Sequence, residues 1–322
     1  MEWLAHEATA RGRPMLLGAW VDRPHISLGA SQSAAAELDR LACARQGLAV
    51  WRRPVGGGAV WVDPDQWCLV AATPPADRRA DLFERVLPAL ACLHQRYGLA
   101  VERRGRGDLW LAGRKILGSG GGFVGGASVL AAGVLLRFDG TGFASVVRAP
   151  SAGFRDWLRE ALVSSMTAWS DHGLRPGRRG LERTWAECLA RASGWRPARR
   201  EPSVAERATW GRSIPDDSED EADACPRGNR LLPHGIKLQD QGFLVEAALP
   251  EALGLRVRVT QGRITRIACA DPTVTTALQR SLGVRPSHPR LESILRAQLG
   301  DDAGSLWSQR LAIVCRGMED PR

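Results

Sequence analysis

In a chain of 322 residues with 44 basic side chains, only Lys115 and Lys237 are lysine and the other 42 are arginine. Lysine offers an anion a compact ammonium on a flexible stem, where arginine offers a planar fork. Lys115 lies in GRGDLWLAGRKILGSGGG, residues 105–122, which also contains Asp108. A strand, the turn AG and a second strand bring these two side chains within one strand spacing, as an ion pair. Earlier, WRRPVGGGAVW (51–61) places Gly56, Gly57 and Gly58 after Arg52 and Arg53. Glycines leave successive main-chain N–H groups uncovered, able to curl around one phosphate or carboxylate. Adjacent residues on a strand point to opposite faces, so one of the two arginines can reach the same anion. Activation of a carboxylate by ATP takes donors that neutralise charge on the carboxylate, the α-phosphate and the centre between them, which a lysine beside a glycine-lined loop supplies. The residues alone also allow a plainer reading, a glycine hairpin with solvated arginines and a surface Lys–Asp pair of little energetic weight. Neither GxxxxGK[ST] nor GxGxxG is present.

Strands and turns must position these groups. MLLGAWV, LAVWRR, AVWVD and WCLVAAT read as strands, Ala34 to Gln46 as an alanine-rich helix, and Asp81 to Tyr97 as a helix with Leu82, Val86, Leu90 and Leu93 on one face. DLWLAGRKILGS reads as a hairpin and ASVLAAGVLLRFD as a returning strand. Helical spacing runs from Gly153 to His172 and again from Leu181 to Ala192. Residues 196–233 lose periodicity around the acidic DDSEDEADAC and read as a solvated linker. Beyond it GFLVEAAL, LRVRVT and RITRIAC read as strands, followed by helices from Thr273, Pro289 and Ser305. The expected fold is α/β, of α+β type: a mixed, largely antiparallel sheet with packed helices, plus a small α+β accessory domain. The expected domains are 1–195, a linker 196–235, and 236–322.

Composition removes several classes of function. The charge of +9 is spread along the whole chain and forms no single patch, which argues against nucleic acid. No window is apolar enough to span a membrane, and the N-terminus lacks the apolar core of a secretory signal, so a cytoplasmic location is expected. Seven scattered cysteines without a CxxC, and histidines without ligand spacing, predict neither a disulfide scaffold nor a protein-held metal.

RRPVGGGAVWVDPDQ, then GRGDLWLAGRKILGSG, then AAGVLLRFD resemble the catalytic domain of lipoate-protein ligases, within the wider biotin ligase and octanoyltransferase group. The pattern of that family is approximately RRxSGGGAVxHDxGN, GRNDhxhxGRKhSGSA and HHGThLhxxD, with h apolar, and HISLGASQ resembles its strand ending in GRxQ. The resemblance covers most of residues 1–170 in order and spacing. It implies activation of lipoate or octanoate by ATP with Mg2+ to an acyl-adenylate, then transfer to a lysine on a lipoyl-acceptor protein domain. By motif it places Lys115 and Asp108 in catalysis, and Arg53, Gly56, Gly57, Gly58, Ala59, Gln66, Gly118, Ser119 and Gly133 around the adenylate, with no metal ligand among them. The chain departs from the pattern at Val62, Ala131 and Ala132, which replace histidines, at Asp65 and Gln66, which replace Gly-Asn, and at Ala30, which replaces arginine. These losses keep two alternatives open: a non-catalytic relative acting as a binding or scaffold protein, and an octanoyl or lipoyl transferase. A thiol-dependent transferase needs a cysteine near Ser128–Gly133, and none lies there; Cys68 reads as a buried strand residue.

Overall fold

The computed structural model describes residues 1–75, 79–212, 235–239, 242–247, 254–316 and 318. The chain divides into two compact units, Met1–Val146 with Val163–Gly228, and Val147–Leu162 with Asn229–Arg322.

The first unit contains β1 (Met15–Trp20), β2 (His25–Leu28), β3 (Ala49–Arg52), β4 (Val60–Val62), β5 (Gln66–Thr73), β6 (Glu102–Arg104), β7 (Asp108–Leu111), β8 (Arg114–Val124) and β9 (Ala127–Leu135). Six of them form an antiparallel sheet in the order β1-β5-β9-β8-β7-β6. The other three form a small sheet, β3-β2-β4, whose β2–β3 pair is parallel. The mixed, largely antiparallel α+β architecture expected from the sequence is therefore present.

One face of the large sheet carries the main core. Trp67, Leu69, Leu117, Leu130 and Val134 pack there with Leu82, Val86, Leu90 and Leu93 of the helix Arg79–Arg96 and with Leu181 and Trp185 of the helix Arg178–Ser193. Each such side chain, removed from water, stabilises the fold by roughly 1.5–3 kcal/mol. On the opposite face Leu4, Ala5 and Ala8 of the helix Glu2–Arg11 meet Val55, Ala72 and Val129.

The structure departs from periodicity in two helices. Ala34 to Gln46 is split into Ala34–Glu37 and Arg40–Arg45, because Asp39 leaves helical geometry and caps the second piece by accepting from the Ala42 N–H at 2.9 Å. The helix beginning at Ala152 stops at Ser165 and does not run on to His172. Met166 instead forms a bridge with Lys115, and the Thr167 N–H donates to the Lys115 carbonyl at 2.8 Å before a short 3-10 turn, Trp169–His172.

The second unit holds β10 (Gly235–Gln239), β11 (Gly242–Glu246), β12 (Arg256–Thr260) and β13 (Arg263–Ala268) as one antiparallel meander. Its core joins Val257, Val259, Ile264 and Ile267 to Leu278, Leu291, Leu295 and Leu311 from three helices. Trp157, from the helix Ala152–Ser165, is flanked by the guanidiniums of Arg256 at 5.5 Å and Arg266 at 3.9 Å. Of the expected linker, Val204–Arg212 is helical, which the loss of hydrophobic period had hidden. The acidic run 216–223 lies outside the described residues. Among the described residues no helix is long and apolar enough to cross a membrane.

Candidate active site

The β7–β8 hairpin turns through Ala112 and Gly113, with φ of 47° and 77°. Two positive values in a two-residue loop match the right-handed twist of the paired strands. Register then shifts: Leu109 faces Leu117 while Trp110 faces Lys115, so Ile116 is an extra residue on β8. Regular alternation would put Lys115 and Gly118, three positions apart, on opposite faces. The bulge sends Ile116 and Leu117 together into the main core and returns Lys115 to the face of Gly118. There its Nζ lies 2.9 Å from Asp108 Oδ1, both side chains being mostly shielded at 19% and 15% exposure. A side chain on Gly118 would sit 2.9 Å from Lys115 Cε and 3.0 Å from Nζ, so glycine is what lets the ammonium lie flat on the strand.

Strand pairing extends this surface into a trough. Residues directly opposed in antiparallel strands project to the same side. One row across the sheet is therefore Cys68, Gly133 and Gly118, and the next is Val70, Ala131 and Gly120. All six are partly exposed and small or apolar. Gln66 borders the first row with Oε1 3.5 Å from where a Gly133 side chain would begin, but it is only 1% exposed and its Nε2 donates to the Trp61 carbonyl at 2.9 Å.

The glycine loop hangs over this face. The position of a Gly120 side chain lies 3.1 Å from the Gly56 carbonyl, and that of Gly122 lies 3.5 Å from Val55. Gly118 and Gly120 are two residues apart on one strand face, so the ammonium and the loop approach neighbouring points roughly 7 Å from each other. Among the described residues no strand pairs with β8 beyond Leu117 on the β7 side. A cleft of about 220 Å3 opens at that edge, lined by Gly56, Gly57, Phe83, Arg106, Gly107, Ser119, Gly120 and Gly121. Ser119 faces away from the trough and donates to the Gly107 carbonyl at 2.6 Å. Gly107 itself has no room for a side chain: its Cβ would meet Ser119 Oγ at 2.6 Å and Phe83 at 3.1 Å. Arg106, stacked 5.3 Å above the Phe83 ring, is a cleft residue that the pairing of Lys115 with glycines did not single out.

Both arginines before the loop bind main-chain carbonyls. Arg52 donates to the carbonyls of Gly29, Ala30 and Gln32. Arg53 donates to Ser27 O at 2.7 Å, Gly56 O at 3.1 Å and Gly58 O at 2.7 Å. Both guanidiniums thus bind main-chain carbonyls of neighbouring loops. Burial pulls the Arg53 pKa down to about 10, which still leaves it charged at neutral pH. Among the described residues every peptide is trans, so each N–H points opposite to the preceding carbonyl. Arg53, by holding the carbonyls of Gly56 and Gly58, turns the N–H groups of Gly57 and Ala59 away from itself. Gly57 has φ 106° and lies against Arg53 Nη2, where a side chain would come within 2.8 Å. Gly29 is still tighter, with its Cβ position only 2.0 Å from the Gly57 carbonyl oxygen.

The positions that depart from the family pattern lie in different surroundings. Ala131 floors the trough, whereas Ala132 is buried in the main core. Val62 is buried, Asp65 pairs with Arg137 at 2.6 Å, and Ala30 donates its N–H to Val55 O at 3.0 Å. Burial and the negative charge of Asp63 push the Cys68 thiol up to about 11, opposite to what a nucleophilic thiolate needs. Among the described residues no cluster of His, Cys, Asp and Glu is placed to hold a metal ion.

A 96-residue stretch is 30% identical to a lipoate-protein ligase of Streptococcus pyogenes serotype M5 (strain Manfredo), and covers 30% of this chain and 28% of that protein. The match thus spans less than a third of that curated relative. Three solved structures share the fold. One is the bipartite lipoate protein ligase of a Thermoplasma acidophilum lipoylation system, solved together with its E2 lipoyl domain (TM-score 0.62, 17% identity, 72% of this chain and 91% of that one). Another is lipoate-protein ligase A bound with ATP (0.58, 17%, 70% and 91%). A third is LipL1 of P. falciparum in complex with lipoate (0.51, 16%, 94% and 87%). Residues 1–176, which carry the hairpin lysine, the glycine loop and the trough, match the lipoyl protein ligase A/B catalytic domain, and the chain belongs to that family.

Proposed function

We propose that this chain joins lipoate or octanoate to ATP, forming an acyl-adenylate and pyrophosphate, and passes the acyl group to a lysine of an acceptor protein domain. The observation that carries this reading is the bulge-directed Lys115, held by Asp108 over Gly118 on the same sheet face that the glycine loop overhangs. An ammonium there neutralises charge on the carboxylate and the α-phosphate as they approach, and the N–H groups of Gly57 and Ala59 donate to phosphate oxygens. The small residues Cys68, Val70, Ala131 and Gly133 leave room for an apolar acyl chain along the sheet. The residues fit a nucleotide: bare glycine backbone faces a cleft of about 220 Å3 that Arg106 borders. Magnesium, in this reading, arrives on the phosphates. Relatives solved with ATP and with lipoate support the two substrates, and the relative solved with its lipoyl domain supports an acceptor of that kind.

A pyrophosphate exchange assay with lipoate and with octanoate tests the proposal. Wild type should exchange only when acid is present, and Lys115→Ala should lose more than ~100-fold, the scale for removing a preorganised donor to a transition state. Undiminished exchange in Lys115→Ala would reject the role given to that residue. A second reading, a binding protein without turnover, draws on Gln66 and Asp65 being committed to internal partners and on the apolar replacements at Val62 and Ala131. It predicts that wild type binds lipoate yet shows no acid-dependent exchange. Thiol-dependent transfer is disfavoured by the raised pKa of Cys68, the cysteine on the trough floor.

A further inference from the structure

We propose that the second unit carries an oxyanion site, for a phosphate or diphosphate group, in the cleft lined by Arg263, Gly283, Val284, Arg285, His288 and Arg290. The cleft holds about 180 Å3, lies wholly within that unit, and uses no residue of the ligase reading. From Pro272 to Leu291 the chain contains Arg280, Arg285, His288 and Arg290 and no aspartate or glutamate. Elsewhere on the surface arginines meet carboxylates, as in Arg296 with Glu292 at 2.7 Å, Arg137 with Asp65 at 2.6 Å and Arg103 with Glu84 at 2.9 Å. Among the described residues Arg263, Arg285 and Arg290 have no such partner. The next carboxylate along the chain, Glu292, is taken by Arg296 and by Ser305 Oγ at 3.1 Å.

The walls of the cleft are tied in place. Arg263 Nη1 donates to Gly283 O at 2.6 Å, the Gly283 N–H donates to Ile264 O at 2.8 Å, and the Ile264 N–H donates to Val284 O at 2.9 Å. A turn through the buried Pro286 is closed by the His288 N–H on Arg285 O at 3.0 Å. His288 Nδ1 accepts from the Arg290 N–H at 3.0 Å, which leaves Nε2 as the protonated, donating nitrogen of the neutral ring. Pro289 has no N–H, and the Arg290 and Leu291 N–H groups donate to His288 Nδ1 and to His288 O, so side chains and not these amides would hold the ligand. Arg263, Arg285 and Arg290 line one concavity, and a multivalent oxyanion offers their guanidiniums forked, charge-assisted hydrogen bonds. Several oxygens on one centre match several forks better than a lone carboxylate does.

Titration calorimetry on the full chain tests the site with inorganic pyrophosphate and with ADP. Wild type should bind pyrophosphate with a Kd below ~1 mM, and Lys115→Ala, which alters only the first unit, should retain that binding. The double variant Arg285→Ala/Arg290→Ala should lose at least ~10-fold, and Arg285→Lys/Arg290→Lys should fall between, since charge without the fork is retained. Equal binding of pyrophosphate and ADP would identify the group itself as ligand; tighter ADP binding, lost in the alanine variant, would show a nucleotide presenting it. No saturable binding, binding unchanged in the alanine variant, or loss of it in Lys115→Ala alone would overturn the proposal. So would an acidic peptide that displaces pyrophosphate at equal charge.

Discussion

At the scale of single residues, glycines decide where charge can lie. Gly118 and Gly57 both face cationic side chains, but with different consequences for substitution. An alanine methyl at 118 would crowd the flexible end of Lys115, at 2.9–3.0 Å, and touch Asp108 Oδ1 at an ordinary 3.9 Å, so the ammonium moves and the fold absorbs the change. Gly118→Ala should therefore leave the melting temperature within a few degrees of wild type while pyrophosphate exchange falls at least ~10-fold, the effect of displacing a donor by about an ångström. Exchange at the wild-type rate would show that Lys115 works from another position. At Gly57 the backbone itself is left-handed, with φ 106°. Gly57→Ala should destabilise the chain by about 1–3 kcal/mol in urea unfolding, because strain in the main chain cannot be relieved by a rotamer.

At the scale of elements, the β7–β8 hairpin positions Lys115 and Asp108, the pair on which the proposed function rests. Its turn places a non-glycine residue, Ala112, at φ 47°, a conformation that asparagine tolerates better. Ala112→Asn should raise stability by about 0.5–1 kcal/mol without touching Lys115, measured as a higher urea midpoint at unchanged slope. The bulge at Ile116 matters more than the turn, since it sets the face on which Lys115 emerges. The hairpin was legible in DLWLAGRKILGS because a two-residue turn separates two apolar runs. The bulge was not, because an extra residue alters register without altering composition. The same limit explains the helix that stops at Ser165: its apolar period continues through Trp169, but Met166 and Thr167 are drawn off to pair with Lys115.

At the scale of the whole molecule, the first unit contains a buried switch for acid stability. His94 is fully buried in the helix Arg79–Arg96, its Nδ1–H donating to Leu90 O at 2.7 Å and its ring 5.2 Å edge-on from Trp169. Burial lowers its pKa to about 4, against an ordinary value of 6.5. The folded chain thus binds fewer protons at this site than the unfolded chain between those limits. Its contribution is present above pH 6.5 and is lost as pH falls toward 4, by roughly 3 kcal/mol in total. Urea unfolding of wild type and His94→Leu across pH 4–7 checks this, with the wild type expected to lose stability more steeply. Parallel curves would mean that the ring ionises without penalty.

The sequence by itself determined the family, most of the strands along the chain but not Glu102–Arg104 or Gly235–Gln239, and the identity of the candidate groups, because motif residues, apolar runs and turn dipeptides are local properties of the chain. Lys115, Asp108 and Gly56–Gly58 could be named from residue type and spacing alone. Only the tertiary structure decided which face of the sheet each group occupies, that Arg53 grips its own loop, that Gln66 is turned inward, and that Ala131 and Ala132 serve opposite sides. The physical reason is that facing depends on register, and a single extra residue in a strand reverses it for every side chain beyond.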